Sequence, residues 1–135
     1  RKMSKSYDNA IYLSDPPDEV QRKVSQMITD PQRMRRADPG NPDICNVFEF
    51  HKIYSSEEVW KGIDPQCRSA EIGCVECKKK MAESLIVALE PIREKRMYYE
   101  AHPELVEEIM ADGCNKARKT ARATMESVRA AIKIN

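Results

Sequence analysis

The chain has 135 residues, 41% of them hydrophobic, and sets 23 lysines and arginines against 22 aspartates and glutamates for a formal net charge of +1. A chain of this size buries one core and not two, and its near-neutral charge excludes a protein that coats nucleic acid indiscriminately, so any RNA contact must come from a local patch. No apolar run approaches membrane-spanning length and no apolar signal segment opens the chain, so the expectation is a cytosolic protein with no membrane role.

The first motif is Lys2-Met3-Ser4-Lys5-Ser6-Tyr7. Two ammonium groups three residues apart, with hydroxyls between and beside them, suit several oxygens of a departing polyphosphate at once. Lys2 and Lys5 would supply charge, Ser4 and Ser6 hydrogen bonds, and Met3 a flexible apolar anchor for a loop that closes and reopens. The competing reading is a solvated basic terminus. Next, Ser14-Asp15-Pro16-Pro17-Asp18-Glu19 predicts a helix start with a side-chain cap, proline in the first positions and acids at the positive end. That helix would run through Val20, Val24 and Met27. A segment punctuated by Pro31, Pro39, Gly40 and Pro42 comes after it and carries Arg33, Arg35 and Arg36. It is either a solvated connector or a stretch whose arginines approach a catalytic site or an RNA backbone.

Ile44, Val47, Phe48 and His51 recur at helical spacing and predict a second helix to about Tyr54. Ser55 and Glu58 form a capping-box pattern ahead of a short third helix with Val59, Trp60 and Ile63, in which Trp60 belongs to the core. From about Val75 a long helix should carry Met81, Leu85, Leu89 and Ile92 inward, with a bend at Pro91. His102-Pro103 ends it, Gly113 interrupts the next, and the last helix runs to about Ile132. On that helix Ala117, Ala121, Met125, Val128 and Ile132 form one stripe, and Arg118, Arg122, Arg129 and Lys133 a basic strip beside it. The strip is either a solvated face or a contact for RNA phosphates and unpaired bases. With no strand-type alternation anywhere, the fold class is all-α, a helical bundle.

Cys45, Cys67, Cys74 and Cys77 show the spacing C-x21-C-x6-C-x2-C, with Cys114 left over. Two intervening residues let the last pair of thiolates face one ion. Gly73 permits a tight backbone there, and both the helix start and Lys78-Lys79-Lys80 favour the thiolate form. Four thiolates suit tetrahedral zinc or an iron-sulfur cluster; the alternative is buried cysteines without a ligand.

The lysine loop with Asn9, Ala10 and Ile11, Thr29-Asp30-Pro31-Gln32-Arg33, Asp38-Pro39-Gly40-Asn41-Pro42, Cys45-Asn46-Val47-Phe48, Gly73-Cys74, Cys77-Lys78-Lys79-Lys80, Glu90-Pro91-Ile92-Arg93 and the closing helix together resemble the bacterial tryptophanyl-tRNA synthetases, members of class I. The resemblance implies residues 1–13 as a remnant of the catalytic domain and residues 14–135 as a helical, anticodon-binding C-terminal domain. The Rossmann catalytic domain would lie upstream, so the chain is expected to be a piece of a longer enzyme and inactive alone. Lys2 and Lys5 would be catalytic, and Lys2, Met3, Ser4, Lys5 and Ser6 would bind ATP. The full-length enzyme would use ATP with Mg, tryptophan and tRNA(Trp) and form a homodimer, the state of the piece alone being open. Some members hold a 4Fe-4S cluster on a similar cysteine pattern, which favours that cluster on Cys45, Cys67, Cys74 and Cys77, with zinc as the alternative. The same resemblance turns Arg118, Arg122, Arg129 and Lys133 toward the anticodon. Two rivals stand beside it. A tyrosyl-tRNA synthetase shares the lysine signature and lacks the Asp38 to Pro42 and cysteine patterns, and a stand-alone helical metal-binding interaction module leaves Lys2 to Ser6 unexplained.

Overall fold

The computed structural model describes residues 4–134, the side chain of Lys5 excepted. Five helices succeed one another, and the described residues contain no strand: α1 (Pro17–Gln26), α2 (Asn46–Tyr54), α3 (Glu57–Arg68), α4 (Cys74–Ala101) and α5 (Pro103–Ile132). The all-α reading is borne out. Single 3-10 turns at Lys5–Tyr7 and Pro42–Ile44 precede α1 and α2. The chain divides into two compact units, Arg1–Glu94 and Lys95–Asn135, and α4 runs through the division.

In the first unit the core is built from one face of each helix. Val20 and Val24 of α1, Val47 and Phe48 of α2, Ile63 of α3, and Met81, Ala82, Leu85 and Leu89 of α4 are all buried. Each large apolar side chain taken out of water stabilises the fold by roughly 1.5–3 kcal/mol. Trp60 packs on this cluster edge-on to Phe48, with ring centroids 6.3 Å apart, as the sequence predicts. Ile92, expected to face inward on α4, is instead exposed, because the buried stripe ends at Leu89.

Two helix starts lack the side-chain caps the sequence predicts, and the polar side chains just before them are used elsewhere. Pro16 occupies the cap position of α1 with no side-chain hydrogen bond. Asp15 instead accepts from the Tyr12 backbone N–H at 2.8 Å and from Lys23 Nζ at 2.7 Å, a pair that is almost wholly buried. A buried charge needs such a partner, and the demand outweighs one helix cap. The predicted Ser55/Glu58 capping box is likewise absent: Ser56 holds the α3 cap position without a side-chain bond. Ser55 Oγ lies 2.8 Å from His51 Nδ1 and 2.9 Å from the Ser84 hydroxyl, joining α2 to α4.

The second unit holds the last turns of α4 and the whole of α5. His102 ends one helix and Pro103 starts the next, as predicted, since proline tolerates a first helical position. Gly113 does not interrupt α5, which runs unbroken from Pro103 to Ile132. Likewise α4 continues past Pro91. No residue of α5 is buried, and Met125, Val128 and Ile132 of its apolar stripe stay exposed.

Candidate functional site

Two places carry chemistry. The first is the loop ahead of α1. Lys2 and Met3, predicted to hold polyphosphate, lie outside the described residues, as does the side chain of Lys5. The rest of the loop is held by local bonds. Ser4 donates its N–H to Asn9 Oδ1 at 2.8 Å, Ser4 Oγ accepts from the Ser6 N–H at 3.2 Å, and the Tyr7 N–H donates to the Ser4 carbonyl. Both serines are therefore engaged in shaping the turn. Asp8 sits at φ 49°, in the left-handed region that aspartate tolerates better than most residues. Its carboxylate takes a 2.6 Å bond from Arg22, which also holds Glu19, so that the loop is tied to α1. Beside this junction lies a cavity of about 400 Å³, lined among others by Tyr7, Tyr12, Met27, Phe50, Leu85 and Leu89.

The second place is the cysteine group, which the fold assembles from three segments. Cys45 caps the start of α2, Cys67 lies in the last turn of α3, and Cys74 and Cys77 open α4. Cys45 and Cys77 are buried, Cys67 and Cys74 half-buried, and all four are free thiols. Burial first, then repulsion from Cys45, Cys67 and Cys74, pushes the Cys77 thiol up to about 12. Cys67 is raised by burial as well, with Arg33 opposing and Cys45 and Cys74 adding. Cys67 and Cys77 thus each lie within electrostatic reach of the other thiols of the group. The expectation that the lysine run favours thiolate fails at Cys77: Lys80 does pull its pKa down, but burial is the larger effect. A coordinated cation would hold that thiol ionised. Among the described residues, no three of histidine, cysteine, aspartate and glutamate close on a point where a single metal ion would bind.

The surroundings of the thiols come from residues far away in sequence. The Gly40 N–H donates to the Cys67 carbonyl at 2.9 Å, and a Cβ at Gly40 would stand 2.5 Å from Cys67 Sγ. Glycine is needed there for close approach. Gly73 has the same explanation, since a Cβ would meet Arg36 Nε at 2.8 Å, whereas the tight turn expected at Gly73 needs no special backbone angle. Buried Asp30 holds the segment in place by accepting from the N–H groups of Gln32 and Asn41, both at 2.8 Å.

Neither sequence reading of the arginine segment describes what Arg33 and Arg36 do. Arg36 donates to the carbonyls of Ala70 and Glu71, bracing the loop in which Ala70 takes φ 61°. Arg33 Nη1 lies 3.8 Å from Cys74 Sγ. A cleft of about 510 Å³ opens there, lined by Arg33, Arg35, Arg36, Cys74 and Lys79 among others. On the other side, fully buried His51 places Nε2 3.1 Å from the Cys77 carbonyl and 3.5 Å from its sulfur. A carbonyl only accepts, so Nε2 carries the proton, and burial lowers the ring's pKa and keeps it neutral. Sequence reasoning took His51 as a core position and missed its tie to Cys77, because 26 residues separate the two and no local pattern marks the pair.

On α5, Arg118, Arg122 and Arg129 are exposed. Arg118 and Arg122 line a shallow groove of about 480 Å³ with Asn115, Lys119, Ala123 and Glu126. Lys133, expected on the same strip, lies past the helix end at φ 55° and leaves the helical register.

A family model described as tRNA synthetases class I (W and Y) matches residues 1–90, two thirds of the chain, which therefore belongs to that family. Within it, curated relatives named tryptophan–tRNA ligase match nearly the whole chain. The chain is 47% identical over 135 residues to the tryptophan–tRNA ligase of Aquifex aeolicus, which covers 99% of this chain and 34% of that protein. To the tryptophan–tRNA ligase of Thermotoga maritima it is 42% identical, covering 99% of this chain and 41% of the relative. A crystal structure of tryptophanyl-tRNA synthetase from Campylobacter jejuni, complexed with ADP and tryptophan, superposes with a TM-score of 0.83 at 27% identity, over 98% of this chain and 41% of that one. The chain thus spans between a third and two fifths of the length of these proteins.

Proposed function

We propose that the chain is the C-terminal portion of a tryptophan–tRNA ligase, which activates tryptophan with ATP and Mg and charges tRNA(Trp) in the cytoplasm, as a homodimer. The observation that carries this reading is the 47% identity over nearly the whole chain to a tryptophan–tRNA ligase. Residues 1–13 are the remnant of the catalytic domain and residues 14–135 the tRNA-facing domain. As the tryptophan carboxylate attacks the α-phosphorus of ATP, the bond to pyrophosphate breaks and negative charge grows on the leaving oxygens. Lys2 and Lys5 neutralise that charge, and Met3, Ser4 and Ser6 complete the ATP-binding loop. Its turn bonds and the Asp8–Arg22 pair support a preformed exit from this loop, which limits the ordering that closure requires. The exposed arginines of α5, Arg118, Arg122 and Arg129, meet the anticodon arm, with Lys133 joining from beyond the helix end. Replacing Lys2 and Lys5 together by alanine in the full-length enzyme should cut tryptophan-dependent pyrophosphate exchange into ATP by at least about a hundredfold, the scale of losing one transition-state donor. An unchanged exchange rate would overturn the reading.

The cysteines carry a finer proposal: Cys45, Cys67, Cys74 and Cys77 hold a 4Fe-4S cluster. Four free thiols with a long first spacing favour a cluster, whose separate irons each take one thiolate, over a zinc finger built from two tight pairs. A buried Arg33 Nε with no protein partner fits a further acceptor at this point. When bound, such a cluster supplies a four-thiolate cross-link joining the ends of α2, α3 and α4 and can take up one electron. Anaerobically purified protein should be brown with about four irons per chain; zinc, or no metal, refutes the assignment.

A further inference from the structure

We propose that Arg33 is the positioning residue of the cysteine site, donating its buried Nε–H to a sulfur of the bound cluster and making that cluster easier to reduce. The inference rests on the cluster reading above. It starts from an unmet requirement: Arg33 Nε is buried and has no hydrogen-bond partner. A buried donor is costly to leave unmade, so such a group calls for an acceptor that protein atoms do not supply.

The other parts of the side chain fix where that acceptor lies. Nη2 is spent on the Arg36 carbonyl at 2.8 Å, and Nη1 faces Cys74 Sγ at 3.8 Å. The Cδ atom stands 3.5 Å from the position of a Cβ at Gly40, itself 2.5 Å from Cys67 Sγ. The side chain therefore runs from Gly40, which packs against Cys67, to Cys74. Arg36 makes the contrast clear, for its terminal nitrogens are committed to the Ala70 and Glu71 carbonyls. Of the two, only Arg33 keeps a buried donor without a partner.

A four-thiolate cluster is anionic and gains one further negative charge on reduction. A cation with a directed N–H at its sulfurs stabilises the reduced form more than the oxidised form, and hydrogen bonds to the sulfurs are a known lever on cluster potential. Charge and direction separate by substitution. Arg33→Met removes both, Arg33→Lys keeps the charge and loses the directed Nε–H, and Arg35→Met removes an exposed neighbouring charge.

The test is a one-electron redox titration, monitored by electron paramagnetic resonance, on anaerobically prepared protein with iron content measured alongside. Arg33→Met should retain its iron and shift the reduced-to-oxidised ratio at fixed potential at least tenfold toward oxidised, a fall in midpoint of about 59 mV for one electron. Arg33→Lys should fall between it and the unmodified protein, and Arg35→Met should move the ratio less than about threefold, a surface charge being screened. If Arg33→Met fails to assemble a cluster, the Arg33→Lys shift decides alone. Iron-loaded variants at Arg33 with unmoved potentials overturn this inference and leave the cluster standing; unmodified protein without iron overturns both.

Discussion

At the scale of single residues, the cysteine site is defined by atoms that must come close. Gly40 is the clearest case. Its backbone has no positive φ, so its value lies in having no side chain where Cys67 Sγ needs room. Gly40→Ala should destabilise the chain by about 1–3 kcal/mol through overpacking, read as a lower urea midpoint, and should reduce iron retention. A variant that keeps both would remove the packing account. The motif Asp38-Pro39-Gly40 was legible in the sequence as punctuation of the chain and as a mark of resemblance. What its glycine packs against was not, because Cys67 is brought there by α3.

Helices show where local sequence is decisive and where it is not. Pro17, Asp18 and Glu19 start α1 as expected, and proline and acids in the first turn suffice without a side-chain cap. Glu19 has its pKa lowered to about 2, first by the hydrogen bond from Arg22, and by the charges of Arg22 and Lys23. A carboxylate with a depressed folded-state pKa binds fewer protons than its unfolded counterpart. Its stabilising contribution is complete above the ordinary value of 4.5 and is lost as pH falls toward 2. In melting curves taken across that window, Glu19→Gln should show a smaller acid-induced drop than the unmodified chain; parallel drops would count against the linkage. Gly113 tests the opposite situation. A Cβ there meets nothing within 4 Å inside a continuous helix, so Gly113→Ala should stabilise α5 by about 0.5–1 kcal/mol. Loss of helicity by circular dichroism would contradict that. The sequence reading assigned Gly113 a breaking role because isolated glycine weakens a helix; the surrounding run of good helix formers outweighs it.

For the molecule as a whole, the four cysteines stand at the ends of three helices, of which α3 is packed most lightly. α3 contributes a single fully buried apolar residue, Ile63, and its end is held by Arg36 and by Gly40 on Cys67. If the cluster joins those ends, its binding energy is folding energy. Stripping iron anaerobically with a chelator should therefore lower the melting temperature, and reconstitution should restore it; a chain that melts identically in both states would argue that the thiols play no part in stability. The sequence by itself determined the helices, most of their ends, the loop motif and the four cysteine positions, because periodicity, proline, acids at helix starts and motif spacing act over a few residues. Only the tertiary structure decided that Asp15 and Ser55 serve buried partners instead of caps, that His51 backs Cys77, and that Arg33 faces Cys74 across 41 positions of chain. Those outcomes depend on which polar groups become buried together, and burial is settled by packing between segments that no local pattern connects.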